Sequence, residues 1–220
     1  MAKNTPYTDC TRALLASTTE DYEWPKAAIF DLDGTLLDSV DLHAIAWQEA
    51  LLKFGHDVSF EQARSQIGKG ETSSSPSSRP LNVQRDHGKE LEEWRGNRFK
   101  TEYLPLVRPF SAAPDLLRHV CDAGLQIAVA CSAKKDEVEK YLDIACITNL
   151  VDLKTSSDDV KETKPAPDIF EIVLKKLKIE GADAVAIGDT AYDVEAAGRV
   201  KIATIGVLCG GFRESSLRQA

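Results

Sequence analysis

The sequence predicts an α/β fold with a parallel sheet, helices on both faces and an inserted helical domain. Short apolar runs that end in turn residues alternate with amphipathic stretches, a pattern typical of strands and crossover helices in a parallel sheet. One long segment, residues 40–109, lacks such runs and carries apolar residues at helical spacing instead. The chain has 220 residues, which is long enough for one full domain with a smaller insertion.

Four apolar runs are predicted to be the strands of the sheet, because each is short and is followed directly by polar or turn residues. They cover, in chain order, residues 27–30, 125–130, 184–187 and 202–208. A weaker fifth run covers residues 150–153. Because ligands bind beyond the carboxyl ends of strands in parallel sheets, the polar residues that follow these runs are the first candidates for a functional site.

Two amphipathic stretches between the runs are predicted to form helices that cover the sheet. Residues 114–123 carry Leu116, Leu117 and Val120 at helical spacing and end at Gly124, which favours a helix C-terminus. Residues 167–178 present a single apolar stripe. Each stretch adjoins a predicted strand, as a crossover connection between parallel strands requires.

Residues 40–109 are predicted to form a helical cap domain. Apolar residues at helical spacing indicate a first helix that ends at Gly55, and Ser59 and Gln62 fit a capping box that begins a second helix. A third helix is indicated near Trp94. An insertion that follows the first predicted strand would lie over the end of that strand as a lid. The remaining parts of the chain are a core of residues 24–39 and 110–220 and a polar N-terminal extension of residues 1–23.

Composition excludes several classes of protein. Lys and Arg number 27 against 35 Asp and Glu, a net charge of −8, so the chain lacks the basic face that nucleic acid requires. No stretch approaches the ~18 apolar residues of a membrane span, and the N-terminus lacks the apolar core of a signal peptide. The scattered cysteines favour a reducing compartment: Cys10, Cys121, Cys131, Cys146 and Cys209. We expect a cytoplasmic monomer or homodimer that binds neither nucleic acid nor membranes.

Four aspartates follow two of the predicted strands. Asp31 and Asp33 come after the first run, and Asp189 and Asp193 come after the run at 184–187, one helical turn apart. Each has a simpler explanation, because aspartate is common in turns and at helix N-termini. Converging carboxylates, however, would repel one another unless a cation neutralised them. Oxygen ligands with open positions for water suit Mg²⁺, so we predict a magnesium site.

A lysine and a hydroxyl group extend this set of polar groups. Lys164 precedes Pro165, which favours an extended lysine able to direct its ammonium group at a phosphate or a carboxylate. Cys131, Ser132 and Ala133 follow the second run, where hydroxyl and backbone N–H groups could hold an anion. A solvated lysine and a simple helix N-cap would explain each feature alone. Along the chain, an acidic pair, a hydroxyl group, a lysine and a second acidic pair each follow a successive predicted element. This order favours one site formed by all four.

These residues resemble the motifs of the haloacid dehalogenase superfamily. Residues 30–39, Phe-Asp-Leu-Asp-Gly-Thr-Leu-Leu-Asp-Ser, resemble its first motif, Lys164-Pro165 its third, and residues 188–193 its fourth. The resemblance spans about residues 26–212. It implies a Rossmann-like three-layer core, and the helical insertion resembles the small cap of the branch that contains phosphoglycolate phosphatase and β-phosphoglucomutase.

The resemblance implies a two-step phosphoryl transfer. Asp31 would attack phosphorus to form an aspartyl-phosphate, and Asp33 would protonate the leaving oxygen and then activate the hydrolytic water. Mg²⁺ would bind Asp31, the backbone carbonyl of Asp33, and Asp189, with Asp193 in support. Lys164 would stabilise the phosphoryl oxygens and hold Asp31 in place.

Two departures from the family pattern bear on substrate binding. The second motif normally places Ser or Thr at the strand end, where this chain has Cys131, so Ser132 or backbone N–H groups would have to hold the phosphate. In the cap, Lys69 lies in a candidate substrate-facing loop, but residues 71–80 are rich in serine and lack apolar periodicity. Related caps continue with an apolar peptide of the type Gly-Asp-Gln-Leu-Ile-Pro-Val-Phe, and DNA encoding it gives the serine-rich peptide when read one base later. We hypothesise a local frameshift, with an ordinary low-complexity loop as the alternative.

Among the branches of the superfamily, the residues favour a phosphatase. Asp33 argues against a dehalogenase, because a departing halide needs no acid to protonate it. Gly188 precedes Asp189 where β-phosphoglucomutases typically carry glutamate. His43 stands where such mutases and some phosphatases carry a histidine near the acid–base aspartate, or it is a partly exposed helix residue. We expect a Mg²⁺-dependent phosphatase acting on a small phosphorylated metabolite. The alternatives are a sugar-phosphate mutase and a catalytically weak protein that binds phosphorylated ligands.

Overall fold

A five-stranded parallel sheet forms the centre of the protein in the computed structural model, which describes residues 24–68 and 88–220. The strands are, in chain order, β1 (Ala27–Phe30), β2 (Leu37–Asp38), β3 (Arg108–Pro109), β4 (Gln126–Ala130), β5 (Leu153–Thr155), β6 (Ala184–Gly188) and β7 (Ala203–Gly206). In the sheet, β5, β4, β1, β6 and β7 lie side by side in that order. The strands that precede Asp31 and Asp189 are therefore neighbours, with Phe30 paired with Ile187.

Helices connect the strands and cover both faces of the sheet. They are, in chain order, α1 (Val40–Lys53), α2 (Phe60–Arg64), α3 (Gly88–Arg98), α4 (Ala113–Asp122), α5 (Lys135–Ile144), α6 (Asp168–Leu177), α7 (Ala191–Arg199) and α8 (Glu214–Gln219). A π-helical turn, Phe99–Tyr103, and a 3₁₀ turn, Leu104–Leu106, continue the chain directly after α3. The strand–helix alternation explains why all neighbours in the sheet are parallel.

The apolar core consists of two layers, one on each face of the sheet. Successive side chains of a strand point to opposite faces. Phe30 therefore packs in the layer that includes Leu117 of α4 and Tyr141 of α5. Its neighbour Ile29 packs in the other layer, with residues of α6 and α7 such as Phe170. Both faces are covered, which accounts for strands that are apolar throughout rather than alternating.

The helical segment between β2 and β3, which we call the insertion, leaves and returns to the sheet through a short ribbon. β2 and β3 pair antiparallel, with Leu37 opposite Pro109. The insertion has a small apolar cluster of its own, formed by buried residues of α1, α2, α3 and the loop before α2: Ala50, Leu51, Val58, Ala63 and Leu91. The predicted capping box is present, because Ser59 accepts from the backbone N–H of Gln62 while the Gln62 side chain accepts from that of Ser59.

The parallel sheet expected from the sequence is confirmed, whereas its weakest predicted strand is displaced. Thr148–Leu150 forms a 3₁₀ turn and β5 begins only at Leu153, so the strand predicted at 150–153 is wrong in position. The division into core and cap domains stays a prediction. Three predicted features lie outside the described residues: the extension of residues 1–23, Lys69, and the serine-rich segment of residues 71–80. Among the described helices, none is long and apolar enough to cross a bilayer.

Candidate active site

Three aspartates converge where β1 and β6 end. Asp31 follows β1, Asp189 follows β6, and Asp193 lies in the first turn of α7. One carboxylate oxygen from each lies within 4.8 Å of those of the other two. Thr190 orients Asp193, because its backbone N–H and hydroxyl group donate to Asp193 Oδ2 at 3.1 and 2.5 Å. The N-cap of α7 is thus Thr190 and not Asp189, and the capping box with Asp193 also fixes the position of the third carboxylate.

Lys164 bridges two of these carboxylates. Its Nζ atom lies 2.7 Å from Asp31 Oδ1 and 2.6 Å from Asp193 Oδ1, and the side chain is only 2% exposed. Burial alone would lower the pKa of Lys164, but the two neighbouring carboxylates outweigh it and raise the pKa. The ammonium group is therefore held in its charged form, which buried lysines retain only when acidic partners surround them. The solvated surface lysine considered from the sequence is excluded.

The carboxylate cluster carries more negative charge than Lys164 neutralises. Burial, opposed by Lys164 and reinforced by Asp193, raises the pKa of Asp31 to about 7. Burial, together with Asp31 and Asp193, raises the pKa of Asp189 to about 9. Two raised pKa values in one cluster mean that the ionised forms lack sufficient positive charge around them.

One oxygen of the Asp189 carboxylate lacks a hydrogen-bond partner among the described residues. Thr35 Oγ1 donates to Asp189 Oδ1 at 3.4 Å, but Oδ2 is buried and has no hydrogen-bond partner within the described part of the chain. Buried polar atoms are rarely left unpaired. A divalent cation would satisfy Oδ2 and neutralise the excess charge, and an all-oxygen donor set suits a hard cation. Asp31, Asp189 and Asp193 are thus the residues able to hold such a metal.

Asp33 does not join this cluster with its carboxylate. We expected four converging carboxylates from the sequence, but the Asp33 side chain is directed toward Ser39 and His43. Ser39 Oγ donates to Asp33 Oδ1 at 2.5 Å, and His43 Nε2 lies 3.2 Å from the same oxygen. Burial would raise the pKa of Asp33, but His43 and the Ser39 hydroxyl lower it below its ordinary value. Any contact of Asp33 with a metal would involve its backbone carbonyl.

His43 is held by contacts that the sequence did not indicate. The imidazole is 8% exposed, so it is not the partly exposed helix residue that we considered. It stacks on Phe99, with ring centroids 3.9 Å apart, and its Nε2 atom lies 2.8 Å from the Tyr141 hydroxyl. In the sequence, Phe99 is one more apolar residue near the third predicted helix of the cap. Tyr141 lies in α5, whose sequence carries no functional motif. Phe99 comes from the π-helical turn and Tyr141 from α5, so only the tertiary packing around α1 brings these residues to His43.

The loop after β4 adds a thiol and a hydroxyl group to the site. Cys131 Sγ lies 3.8 Å from Asp33 Oδ2 and accepts from the backbone N–H of Ala133 at 3.4 Å. Burial and the charges of Asp33 and Asp31 raise the pKa of Cys131 well above its ordinary value, so the thiol is neutral. Ser132 Oγ is buried without a partner in the described residues and lines the cavity described next. This unpaired hydroxyl is available to an anion.

A cavity of about 550 Å³ lies between the strand ends and the insertion. Its base is formed by groups already described: Asp31, Asp33, His43, Ser132, Lys164 and Asp193. Its opposite wall comes from the insertion, with the apolar side chains of Trp47, Leu51 and Leu91 and the guanidinium-bearing residue Arg95. The insertion also contributes charged residues to this wall, including Lys89, Glu92 and Glu93, so a small ligand in the cavity would meet charged groups on both sides.

Comparison with known proteins identifies the family. Residues 28–207 match the family described as haloacid dehalogenase-like hydrolase. The chain belongs to this family. A phosphoglycolate phosphatase of Aquifex aeolicus is 29% identical over 201 residues, which cover 84% of this chain and 85% of that protein.

Solved structures share the fold of this chain. The crystal structure of a hydrolase from Pseudomonas syringae is 27% identical and has a TM-score of 0.78, covering 88% of this chain and 89% of that one. A haloacid dehalogenase-like family protein from Streptococcus pneumoniae shares the fold at 19% identity, with a TM-score of 0.75 over 89% of this chain and 90% of that one.

In this haloacid dehalogenase-like hydrolase, most of the residues singled out from the sequence occupy one site. The structure brings together Asp31, Asp33, His43, Cys131, Ser132, Lys164, Asp189 and Asp193. Ala133 lines the same cavity, whereas Lys69 lies outside the described residues. Arg95 was missed, because a single arginine in an otherwise polar helix carries no sequence signal for a buried, cavity-lining position.

Proposed function

We propose that the protein is a Mg²⁺-dependent phosphatase that hydrolyses a small phosphomonoester metabolite, as a phosphoglycolate phosphatase does, through an aspartyl-phosphate. The observation that carries this proposal is the arrangement around Asp31. A buried ammonium group holds one carboxylate oxygen of Asp31, two further carboxylates lie beside it, and the group faces a cavity of about 550 Å³. A positioned carboxylate, fixed positive charge and a divalent-cation site are the components that phosphoryl transfer to an aspartate requires.

In the first step, a carboxylate oxygen of Asp31 attacks phosphorus and the bond from phosphorus to the ester oxygen breaks. Lys164 donates to Asp31 Oδ1 and so restricts the rotation of the nucleophile. The same ammonium group offsets negative charge on the phosphoryl oxygens, and the unpaired Ser132 hydroxyl and nearby backbone N–H groups can donate to them. Asp33 gives a proton to the departing oxygen, which leaves as an alcohol.

In the second step, water attacks the phosphorus of the aspartyl-phosphate and Asp33 accepts the proton from that water. The bond between Asp31 and phosphorus breaks, which regenerates the Asp31 carboxylate and releases inorganic phosphate. The lowered pKa of Asp33 suits this step, because it keeps the carboxylate ionised and able to act as a base. The first step, by contrast, needs Asp33 in its protonated form. The contact between Asp33 and His43 disfavours that form in the geometry described here.

Asp31, Asp189 and the backbone carbonyl of Asp33 would hold Mg²⁺, with Asp193 in support. When bound, the cation supplies charge neutralisation, both among these carboxylates and between them and the incoming phosphate. The buried, unpaired Oδ2 atom of Asp189 supports this assignment, as does the raised pKa of the same residue. Gly34 and Gly210 leave room for the Asp189 carboxylate itself in this position.

A sugar-phosphate mutase is the second candidate, and one observation favours it. His43 lies beside Asp33, as in the mutases that the sequence resembles. A mutase would form the same aspartyl-phosphate but return the phosphoryl group to a sugar hydroxyl instead of water. A catalytically weak protein that only binds phosphorylated ligands is the third candidate. We also propose a cytoplasmic location, with a small phosphorylated metabolite as the ligand and no nucleic acid.

The decisive experiment measures phosphate release from a panel of small phosphomonoesters, with and without Mg²⁺. Sugar phosphates in the panel are also analysed for isomerisation without phosphate release, which a mutase would give. Asp31→Asn and Asp33→Asn are expected to lower the rate by at least ~100-fold each, since they remove the nucleophile and the acid–base group. Asp122→Asn, at an exposed position at the end of α4, is the control and retains full activity.

Four results would contradict the proposal in different ways. Phosphate release that persists in a chelator rules out the metal requirement. Release that persists in Asp31→Asn rules out the aspartyl-phosphate. Isomerisation without release assigns the mutase activity, and binding without either reaction assigns the weak binding protein.

A further inference from the structure

Tyr141 places a buried hydroxyl group next to the proposed acid–base pair of Asp33 and His43. The side chain belongs to α5 and is completely buried. Its hydroxyl oxygen lies 2.8 Å from His43 Nε2, and the same nitrogen lies 3.2 Å from Asp33 Oδ1. Asp33 and His43 line the cavity. The three groups therefore form a chain in which His43 is the middle member, and the proposed phosphoryl transfer assigns no role to Tyr141.

Two aromatic side chains restrain the His43 ring in different directions. Phe99 stacks on the ring at a centroid distance of 3.9 Å and an interplanar angle of 7°, so it restricts tilting of the imidazole. Stacking alone leaves the ring free to turn within its own plane. The Tyr141 ring stands at 87° to the imidazole, and its hydroxyl group contacts the imidazole edge at Nε2. This hydrogen bond supplies the in-plane restraint and determines where Nε2 lies.

The direction of the Asp33 carboxylate depends on the position of Nε2. Oδ1 of Asp33 contacts that nitrogen and accepts from the Ser39 hydroxyl at 2.5 Å, whereas Oδ2 lies 3.8 Å from the thiol of Cys131, a weak donor. The Tyr141 hydroxyl also acts on Asp33 itself and helps to lower its pKa. An acid–base group must lie within hydrogen-bond distance of the atom that it protonates. A displaced Nε2 atom would therefore displace the proton donor.

A hydroxyl group can hold His43 through both steps of the proposed reaction. It donates to Nε2 when that nitrogen carries no proton and accepts from Nε2 when the nitrogen is protonated. Burial and the charges of Asp33 and Glu137 raise the pKa of Tyr141 well above its ordinary value, so the hydroxyl group keeps its proton. The contact therefore persists in either tautomer of His43, while Asp33 first gives and then accepts a proton.

We propose that Tyr141 is a positioning residue that, chiefly through His43, holds the Asp33 carboxylate at the leaving oxygen of the substrate. The inference rests on the proposed phosphatase function for the role of Asp33. Its effect belongs to the proton transfer, so removal of the hydroxyl group should matter most for substrates whose leaving oxygen needs a proton.

The test compares two substrates that differ in their need for an acid. p-Nitrophenyl phosphate releases a stabilised phenolate that departs without a proton, whereas phenyl phosphate releases a more basic one. Tyr141→Phe removes one oxygen and keeps the ring. It should lower kcat/KM for phenyl phosphate on the order of 10-fold, about the value of one hydrogen bond. For p-nitrophenyl phosphate the loss should stay below about 2-fold, and Asp33→Asn should show the same bias more strongly.

Tyr103→Phe is the matched control. Tyr103 also packs against Phe99, with ring centroids 6.5 Å apart, but its hydroxyl group bonds to Glu49. Its removal should change kcat/KM for neither substrate. Thermal melting of each variant checks that the fold is intact.

A double-mutant cycle tests the route through His43. In a His43→Leu background the Tyr141 hydroxyl has lost its imidazole partner, so adding Tyr141→Phe should cost no more than about 2-fold in kcat/KM for phenyl phosphate. A loss on the order of 10-fold that persists in this background would overturn the inference, because Tyr141 would then act independently of His43.

The two substrates also separate this inference from the proposed function. Equal losses for both substrates in Tyr141→Phe, or a loss for neither, would overturn the role of Tyr141 and leave the phosphatase activity intact. If the unmodified enzyme releases phosphate from neither of them nor from any other phosphomonoester, the proposed function is wrong and the role of Tyr141 is lost with it.

Discussion

Glycines leave open the space into which the Asp189 carboxylate projects. A Cβ atom added to Gly34 or to Gly210 would overlap Asp189 Oδ2, the buried oxygen without a partner. Gly34 also has a positive φ of 77°, which glycine adopts without strain. Both positions therefore need hydrogen in place of a side chain so that the proposed metal ligand can take its observed position.

Gly210→Ala should disable the proposed metal site. The added methyl group displaces the Asp189 carboxylate, and a displacement of about 1 Å at a reacting group can cost on the order of 100-fold in rate. We expect a loss of that size together with a higher Mg²⁺ concentration for half-maximal activity, measured by titrating Mg²⁺ in a phosphate-release assay. Gly198→Ala on α7, where an added Cβ meets nothing within 4 Å, is the control. An unchanged Mg²⁺ requirement in Gly210→Ala would exclude Asp189 as a ligand.

Cys131→Ser should improve phosphate binding. The thiol occupies the strand end where related enzymes carry a hydroxyl group, and sulfur is a weak hydrogen-bond donor. A hydroxyl group at this place would gain about 0.5–1.5 kcal/mol in a hydrogen bond to a phosphoryl oxygen, which lowers KM by about 2- to 10-fold. KM and the inhibition constant of inorganic phosphate measure the effect. Cys121→Ser, at an exposed position of α4, is the control. A raised KM would mean that the small, neutral thiol itself fits the substrate.

Residues next to strand ends could be predicted from the sequence, whereas residues that meet through packing could not. Asp31 and Asp189 follow apolar runs directly, so the edge of the sheet on which they lie was evident. Lys164 was recognised from its family motif. The direction of the Asp33 carboxylate and the inward position of Arg95 depend on how α1, α3 and α5 pack above the sheet, and no local pattern encodes that arrangement.

At the scale of elements, Arg64 joins the insertion to the core. Arg64 ends α2 and donates to the backbone carbonyls of Gly210 and Gly211 at 2.7 and 3.4 Å. It also donates to Asp41 at 2.6 Å and lies over the Phe212 ring. The loop that it contacts is the one whose Gly210 adjoins Asp189. One side chain thus links α2 to the loop that supports the proposed metal site.

Arg64→Met should loosen the closed arrangement of the insertion over the sheet. The hydrogen bonds to the loop after β7 are lost, so we expect KM to rise about 3- to 10-fold, because substrate binding must then also order the insertion. The melting temperature should change little, since the side chain is partly exposed. Steady-state kinetics and thermal melting measure the two effects. Arg118→Met, which removes an exposed ion pair with Asp115 on α4, should change neither. An unchanged KM in Arg64→Met would show that these contacts do not hold the insertion.

Element boundaries were predicted well where an apolar run is buried on both faces and poorly at the edge of the sheet. β1 and β6 lie in the middle of the sheet, and their sequences are almost entirely apolar. β5 is an edge strand with an exposed Lys154, so its sequence resembles a loop. The apolar residues at 150–151 belong instead to a turn that packs against the core. Edge strands bury less surface, and apolar content is therefore a weak guide to them.

For the whole molecule, the carboxylate cluster couples stability to pH and to metal binding. The pKa of Asp31 rises from 3.8 to about 7 and that of Asp189 from 3.8 to about 9. The folded protein therefore binds protons at these groups more tightly than the unfolded chain does. This contribution to stability is fully present below pH 3.8 and is lost as the pH rises through about 7 and about 9. Asp33, whose pKa is lowered, affects stability only in acid below this range.

The metal-free protein should lose stability as the pH rises from 6 to 9, and Mg²⁺ should oppose that loss. We expect the melting temperature in a chelator to fall by on the order of 5 °C across this range. Mg²⁺ binds the ionised carboxylates, so the rise in melting temperature that it causes should grow with pH. Thermal melting at several pH values, with Mg²⁺ or chelator, measures both effects. Asp189→Asn should weaken both, because it removes the group whose pKa is raised most. If the chelator-treated protein instead becomes more stable toward pH 9, ionisation of Asp31 and Asp189 does not destabilise the fold, and this prediction is wrong.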